Sequence, residues 1–150
     1  NAYAFEHTLS NGTRVDCLVK LPSPPGGIAI DSKFPLEAYR ALRASSNDAE
    51  RVQAERAFKR DFAIHVKAIS DKYLIPGETA DWAVMFLPSE AIYAEAHANF
   101  PALIDDAHRR RVAIVSPTTL MAMASQPAKL INSPNNSAPN TSGRNAAARA

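Results

Sequence analysis

Two largely apolar runs with a helical stretch between them constrain the fold of this chain more than any other feature. They are WAVMFL, residues 82–87, and RVAIVS, residues 111–116. Short runs without polar alternation are typical of strands that are buried on both faces. Pro-Ser-Glu after the first run predicts a helix start, and residues 101–109 predict a further short helix. The pattern favours an α/β fold, with a mixed β-sheet flanked by helices.

The first part of the chain predicts a β-hairpin and a third strand. Residues 3–9 and 14–21 are strand-like and flank Asn11-Gly12, and Asn-Gly is the strongest short-range hairpin signal. After a turn rich in proline and glycine, residues 28–32 (IAIDS) predict the third strand. Pro35 then suits the first turn of a helix.

The middle of the chain predicts one long helix. Asn47 and Glu50 form a capping-box pattern at its start, and Ile75-Pro76-Gly77 ends it. Helical spacing predicts its apolar face from Phe58, Phe62, His65 or Val66, Ile69 and Tyr73. Beyond it, Ser116 and Pro117 predict the start of a last helix, and Trp82 and Met85 are predicted to be core residues.

Charge and composition change near residue 125. Residues 126–150 hold three basic residues, no acid and few large apolar side chains, which predicts a disordered low-complexity tail after a domain spanning residues 1–125. Without that tail, 14 basic residues stand against 15 acidic ones, although the whole chain has a net charge of +2. The predicted domain therefore lacks a global basic field that would indicate nucleic-acid binding.

Cysteine usage and hydropathy indicate the compartment. Cys17 is the only cysteine, which excludes an internal disulfide and favours a reducing, cytoplasmic setting. No apolar run approaches the roughly 18 residues of a membrane span, and residues 1–10 lack a signal-peptide pattern. We therefore expect a cytoplasmic location and no membrane contact from this part of the chain.

Two acids and a lysine interrupt the strand-like runs at Asp16, Asp31 and Lys33. Unpaired charges are costly to bury, but two carboxylates on neighbouring strands suit one Mg²⁺ or Mn²⁺ ion. The backbone carbonyl of Ser32 is a further candidate ligand. Lys33 would share the face of Asp31, because strand side chains alternate, and would assist an attacking water. The alternative is an exposed ion pair that contributes little.

Four blocks of the chain resemble the RmuC family of bacterial DNA recombination proteins. They are RVDCLVKLP, IAIDSKFPLEAY, HVKAISDKYLIPGETADWAVMFLPSEAIYAEA and VAIVSPTTLMA, in that order between residues 14 and 122. The resemblance implies a restriction-endonuclease-like, PD-(D/E)xK core. It matches Asp16 to the first motif acid, Asp31 to the second and Lys33 to the motif lysine. It further implies DNA as the partner and a metal-dependent DNA phosphodiesterase, the alternative being a catalytically silent DNA-binding or scaffolding domain.

The sequence departs from the family pattern at several points. Val15 stands where the first motif usually has proline, and no helix or coiled coil precedes the hairpin. We therefore expect a fragment whose nuclease core lacks its N-terminal helix. A sheet face left uncovered in this way predicts poor solubility or association into a homo-oligomer.

Other candidate DNA contacts are His65 and the run Arg109-Arg110-Arg111. His65 is predicted on the apolar face of the long helix, either as a hydrogen-bonded core residue or as a phosphate or water contact. The three arginines are predicted either to lie at a solvent-exposed helix end, where cations suit the helix dipole, or to contact the phosphate backbone of DNA.

Overall fold

A computed structural model of the chain describes residues 2–21, 26–32 and 36–125. The elements in these residues are β1 (Tyr3–Thr8), β2 (Arg14–Leu21), β3 (Gly26–Asp31), α1 (Leu36–Ala44), α2 (Asp48–Tyr73), β4 (Ala83–Phe86), α3 (Glu90–Asn99), α4 (Pro101–Arg109), β5 (Val112–Val115) and α5 (Pro117–Ser125). The predicted types and order are confirmed, with ends within about two residues. The proline-rich turn, Pro35 and the tail from residue 126 lie outside the described residues.

The strands form one mixed sheet in the order β1-β2-β3-β4-β5. β1, β2 and β3 pair antiparallel, whereas β3, β4 and β5 pair parallel. The two parallel connections run through α1 and α2 and through α3 and α4. The predicted α/β class with a mixed sheet is therefore confirmed.

Both faces of this sheet carry helices. The larger core cluster joins residues of β2 to β5 to the apolar faces of α1, α2, α3 and α4. The smaller cluster lies on the opposite face, where Leu120 and Met123 of α5 pack against Ile28, Ile30 and Val84. The first three residues of β4 are buried between the two layers, as its uninterrupted apolar run predicts, and Phe86 is partly buried. No helix in the described part of the chain has both the length and the apolar character needed to cross a membrane.

The start of α2 differs in detail from the predicted capping box. The Asn47 side chain accepts a hydrogen bond from the Glu50 backbone N–H at 2.9 Å, as predicted. The Glu50 carboxylate, however, reaches one residue further and accepts from the N–H and the hydroxyl of Ser46, both at 2.9 Å. These bonds from Ser46 lower the pKa of Glu50.

The β1–β2 turn is fastened to the end of α2. Gly12 has a φ of +81°, which suits the predicted Asn-Gly turn. The Asn11 side-chain amide donates to the backbone carbonyl of Lys72 at 2.8 Å, and the Ser10 N–H donates to the Glu78 carboxylate at 2.9 Å. Because Lys72 lies in the last turn of α2, the Asn11 bond fixes that helix end over the hairpin, and the Ser10 bond fixes the loop that follows it.

Two core predictions need correction. Val66, not His65, lies in the core, and His65 is half-buried on the flank of α2. Met85 is fully buried as predicted, but Trp82 is 44% exposed, so its core assignment is wrong. Trp82 precedes the first residue of β4 and therefore lies outside the part of the strand that helices cover on both faces.

Candidate functional site

The register of β2 and β3 brings the two predicted acids face to face. The ladder pairs Cys17 with Ile30, and the next step places Asp16 opposite Asp31. Directly opposed residues on antiparallel strands share a face, with Cβ atoms about 5 Å apart. Leu18 and Ala29, two residues along from each acid, belong to the core under α2. The carboxylates therefore lie on the face of the sheet that α2 covers, where β3 ends.

The two carboxylates differ in environment. Asp31 is buried, with 7% of its surface exposed, whereas Asp16 is half-exposed. Oδ2 of Asp16 accepts two hydrogen bonds from Ser32, from the N–H at 2.9 Å and from the hydroxyl at 2.8 Å. These bonds tie the end of β3 to β2 and fix the Asp16 carboxylate beside Asp31.

Tyr73 completes this cluster, although sequence reasoning assigned it only to the apolar face of α2. The side chain is 5% exposed, and its hydroxyl lies 3.1 Å from the Arg14 carbonyl oxygen. Burial, the negative charge of Asp31, a hydrogen bond with Asp31 and the charge of Asp16 together raise the pKa of Tyr73 to about 12. The hydroxyl therefore stays protonated and serves as a donor beside the acids. The sequence did carry one signal of this role: a tyrosine at a core position of a helix has a hydroxyl group that requires a hydrogen-bond partner once it is buried.

Replacing Tyr73 with phenylalanine should weaken the fold and the acid pair together. Y73F keeps the buried ring but removes the donor shared by the Arg14 carbonyl and the Asp31 carboxylate. We expect a loss of about 1–2 kcal/mol in the free energy of unfolding, measured by urea titration. The matched control is Y3F, because Tyr3 is exposed on β1. Equal stability of Y73F and wild type would contradict a structural role for the hydroxyl.

The donor set fits a hard divalent cation. Mg²⁺ is commonly held by one or two carboxylates and keeps several waters, and Asp16 with Asp31 supplies such a pair. Within residues 2–21, 26–32 and 36–125, no three His, Cys, Asp or Glu side chains cluster as a metal site. Lys33 lies outside the described residues, and the role of the Ser32 carbonyl as a ligand stays a prediction.

Glu6 occupies the register position opposite Asp16 on the other flank of β2, but it does not extend the pair. The β1–β2 ladder runs from Phe5↔Cys17 to His7↔Val15 and skips Glu6, whose φ is +49°. Its carboxylate instead pairs with Arg14 at 2.6 Å on the surface. The left-handed backbone therefore turns this acid towards solvent.

The other predicted site residues lie elsewhere. His65 precedes Tyr73 by eight residues, which is about 12 Å along the axis of α2. Arg109 ends α4, and Arg110 and Arg111 connect it to the start of β5, whereas Asp31 ends β3. Because β3, β4 and β5 are parallel, the arginines lie at the N-terminal ends of these strands and the acid pair lies at their C-terminal ends. Their predicted contacts with DNA stay predictions.

Fold and site together define the class: a mixed α/β domain with an opposed carboxylate pair at the end of its third strand. The RmuC family model matches residues 1–138. The chain therefore belongs to the RmuC family.

Curated relatives agree with this assignment. The DNA recombination protein RmuC homolog of Xylella fastidiosa is 40% identical over 122 residues, which cover 73% of this chain and 26% of that protein. The homolog of Pseudomonas aeruginosa is 34% identical over 110 residues, 71% of this chain and 24% of that protein. DNA recombination protein RmuC of Escherichia coli is 29% identical over 121 residues, 79% and 25% respectively. The chain thus spans about a quarter of these relatives' length. No solved structure shows a significant match.

Proposed function

We propose that this chain is part of a DNA recombination protein and carries a divalent-metal-dependent phosphodiesterase site on a restriction-endonuclease-like, PD-(D/E)xK core. Similar proteins are named DNA recombination proteins, which supports DNA as the partner. The mixed sheet, with an acid on the second strand and another at the end of the third, supports the nuclease-like core.

Each residue of the site has a defined role in this proposal. Asp16 and Asp31 hold Mg²⁺ or Mn²⁺, with the Ser32 carbonyl as a further ligand. The bound metal would supply Lewis-acid stabilisation of charge on the phosphate. Lys33 orients the attacking water and offsets developing negative charge. Ser32 fixes the Asp16 carboxylate through two donors, and Tyr73 holds Asp31 from the helix side.

The opposition of Asp16 and Asp31 is the observation that carries the proposal. Like charges directly opposite each other on paired strands destabilise a sheet, and the burial of Asp31 increases the cost of its charge. A bound cation removes that repulsion. This arrangement therefore gives the site a physical reason to bind metal.

A cleavage assay on labelled single-stranded and duplex DNA with Mn²⁺ tests this function. The wild type should cleave, and D16N should lose at least about a hundredfold in rate if Asp16 holds the metal. The control is D105N, which removes an equal charge from an exposed position on α4. Equal rates for D16N and wild type would refute the proposed role of the pair.

One observation favours a second function, a DNA-binding or scaffolding domain without turnover. The described residues provide no third His, Cys, Asp or Glu at the pair, and the affinity of a site for a divalent cation falls as the number of charged ligands that it offers decreases. Under this alternative, DNA binding persists while D16N and wild type are equally inactive in Mn²⁺. The same assay, paired with a DNA-binding measurement, therefore separates the two functions.

A further inference from the structure

A basic and aromatic surface lies at the N-terminal ends of β4 and β5, whereas the acid pair lies at the C-terminal end of β3. We call it the arginine–tryptophan patch, and its residues are Trp82, His108, Arg109, Arg110 and Arg111. The Trp82 and His108 rings meet edge to face, with centroids 6.0 Å apart. The arginine run precedes β5 directly, and the Arg111 carbonyl accepts from the Ala83 N–H at 3.0 Å. β4 and β5 therefore hold the aromatic and cationic parts in a fixed relation.

Arg111, in the turn between α4 and β5, has a strained backbone. Its φ is +60°, just after the end of α4, a position where glycine is the usual residue because left-handed backbone strains other side chains. Its N–H donates to the His108 carbonyl at 2.9 Å and closes the helix. A guanidinium thus stands where glycine would relieve strain, a local conflict that is typical of functional surfaces.

Among the described residues, the guanidinium groups of the patch have only weak acidic partners. Arg111 reaches Asp81 at 4.0 Å, and the Asp81 side chain is 89% exposed. Arg109 and Arg110 share the single carboxylate of Asp106, at 3.6 Å and 3.2 Å. Exposed ion pairs of this kind contribute little to stability, and the three guanidinium groups have only two carboxylates as partners. A phosphate anion can therefore replace these carboxylates at small cost.

The shape and the exposed ring indicate which anion suits the patch. A cleft of about 400 Å³ runs between the end of α2 and the three arginines. Trp82 follows Asp81, which lines this cleft, and presents 44% of its surface to solvent. Base stacking on exposed aromatic rings beside a basic groove is the usual way to bind a single strand. Duplex DNA, whose bases are already stacked, would leave the indole unused.

We propose that the arginine–tryptophan patch binds single-stranded nucleic acid. One base stacks on Trp82, and the adjoining phosphates contact Arg111 and its two neighbours along the cleft. This surface is distinct from the acid pair, since the two lie at opposite ends of the parallel strands. It does not depend on metal.

The intrinsic fluorescence of Trp82 reports binding directly, because the chain has a single tryptophan. A single-stranded oligothymidylate, titrated at low salt in EDTA, should quench this emission to saturation. R111G should weaken binding roughly tenfold, since it removes a charge-assisted phosphate contact. It should not lower the unfolding midpoint, since glycine relieves the left-handed φ. The control R56A removes an equal charge from an exposed position on α2 and should change binding less than twofold.

Four outcomes would overturn the proposal. They are no quenching at low salt, an equal effect of R111G and R56A, tighter binding of duplex than of single-stranded DNA, and W82A binding labelled oligonucleotide as tightly as wild type. D16N is expected to show wild-type quenching. Its failure to cleave would leave this proposal intact, so the patch and the acid pair are tested separately.

Discussion

D31N is expected to abolish the stabilisation of this chain by divalent metal while leaving the metal-free fold at least as stable as the wild type. Asp31 faces Asp16 across β2 and β3, so the neutral amide removes a repulsion of up to about 1 kcal/mol. The oxygen of the new side-chain amide can still accept from the Tyr73 hydroxyl. The same change removes one of the two carboxylates that would hold the metal.

Thermal unfolding in EDTA and in Mn²⁺ measures both effects. At an Mn²⁺ concentration about a hundred times Kd, binding stabilises the wild type by about 2.7 kcal/mol. For a chain of this size the midpoint should rise by roughly 5–10 °C. D31N and D16N should show no such rise, and D105N should respond like the wild type. A Mn²⁺-dependent rise retained by D31N would place the metal elsewhere, and no rise in the wild type would favour the scaffolding function.

The largest effect on stability is expected from F62A. Phe62 is fully buried in α2, with its ring centroid 6.0 Å from that of Phe58, which in turn lies 4.9 Å from Phe100 at the start of α4. Truncation removes apolar contacts and leaves a cavity, at a cost of about 3–5 kcal/mol. That is a large part of the roughly 5–15 kcal/mol of an ordinary domain.

Urea unfolding of F62A against F5A tests this expectation. Phe5 is 70% exposed on β1, so its truncation should cost less than about 1 kcal/mol. A loss under about 1.5 kcal/mol for F62A would mean that α2 contributes little to the core. Both variants keep Asp16, Asp31 and Tyr73, so metal binding by any folded F62A should persist.

Local signals were sufficient to predict most of the fold. Asn11-Gly12 predicted the hairpin, whereas the register of β2 with β3, which sets Asp16 opposite Asp31, is seen only in the structure. The uninterrupted apolar run of β4 predicted a strand covered on both sides, because only such a strand can be apolar throughout. Helix boundaries followed from Asn47 and from Pro76-Gly77, whose backbone preferences act within a few residues.

Features that depend on tertiary contacts could not be predicted in this way. Tyr73 has the spacing of a core residue, and only the packing of α2 over the hairpin shows that its hydroxyl meets Arg14 and Asp31. Trp82 adjoins an apolar run, yet it lies just outside β4 and stays exposed. Arg111 has an ordinary helix-end context, whereas its left-handed backbone follows from the turn into β5.

The bonds between the hairpin turn and α2 bear on the order in which the site assembles. Asp16 and Ser32 are 16 residues apart, whereas Tyr73 meets Arg14 over a separation of 59 residues and Asn11 meets Lys72 over 61. Closing the longer loops costs more entropy, and short-range contacts form sooner during folding. A nascent or partly folded chain can therefore bring the two acids together, with Ser32 already bonded to Asp16, before Tyr73 reaches them. The finished site exists only once the last turn of α2 has closed over the hairpin.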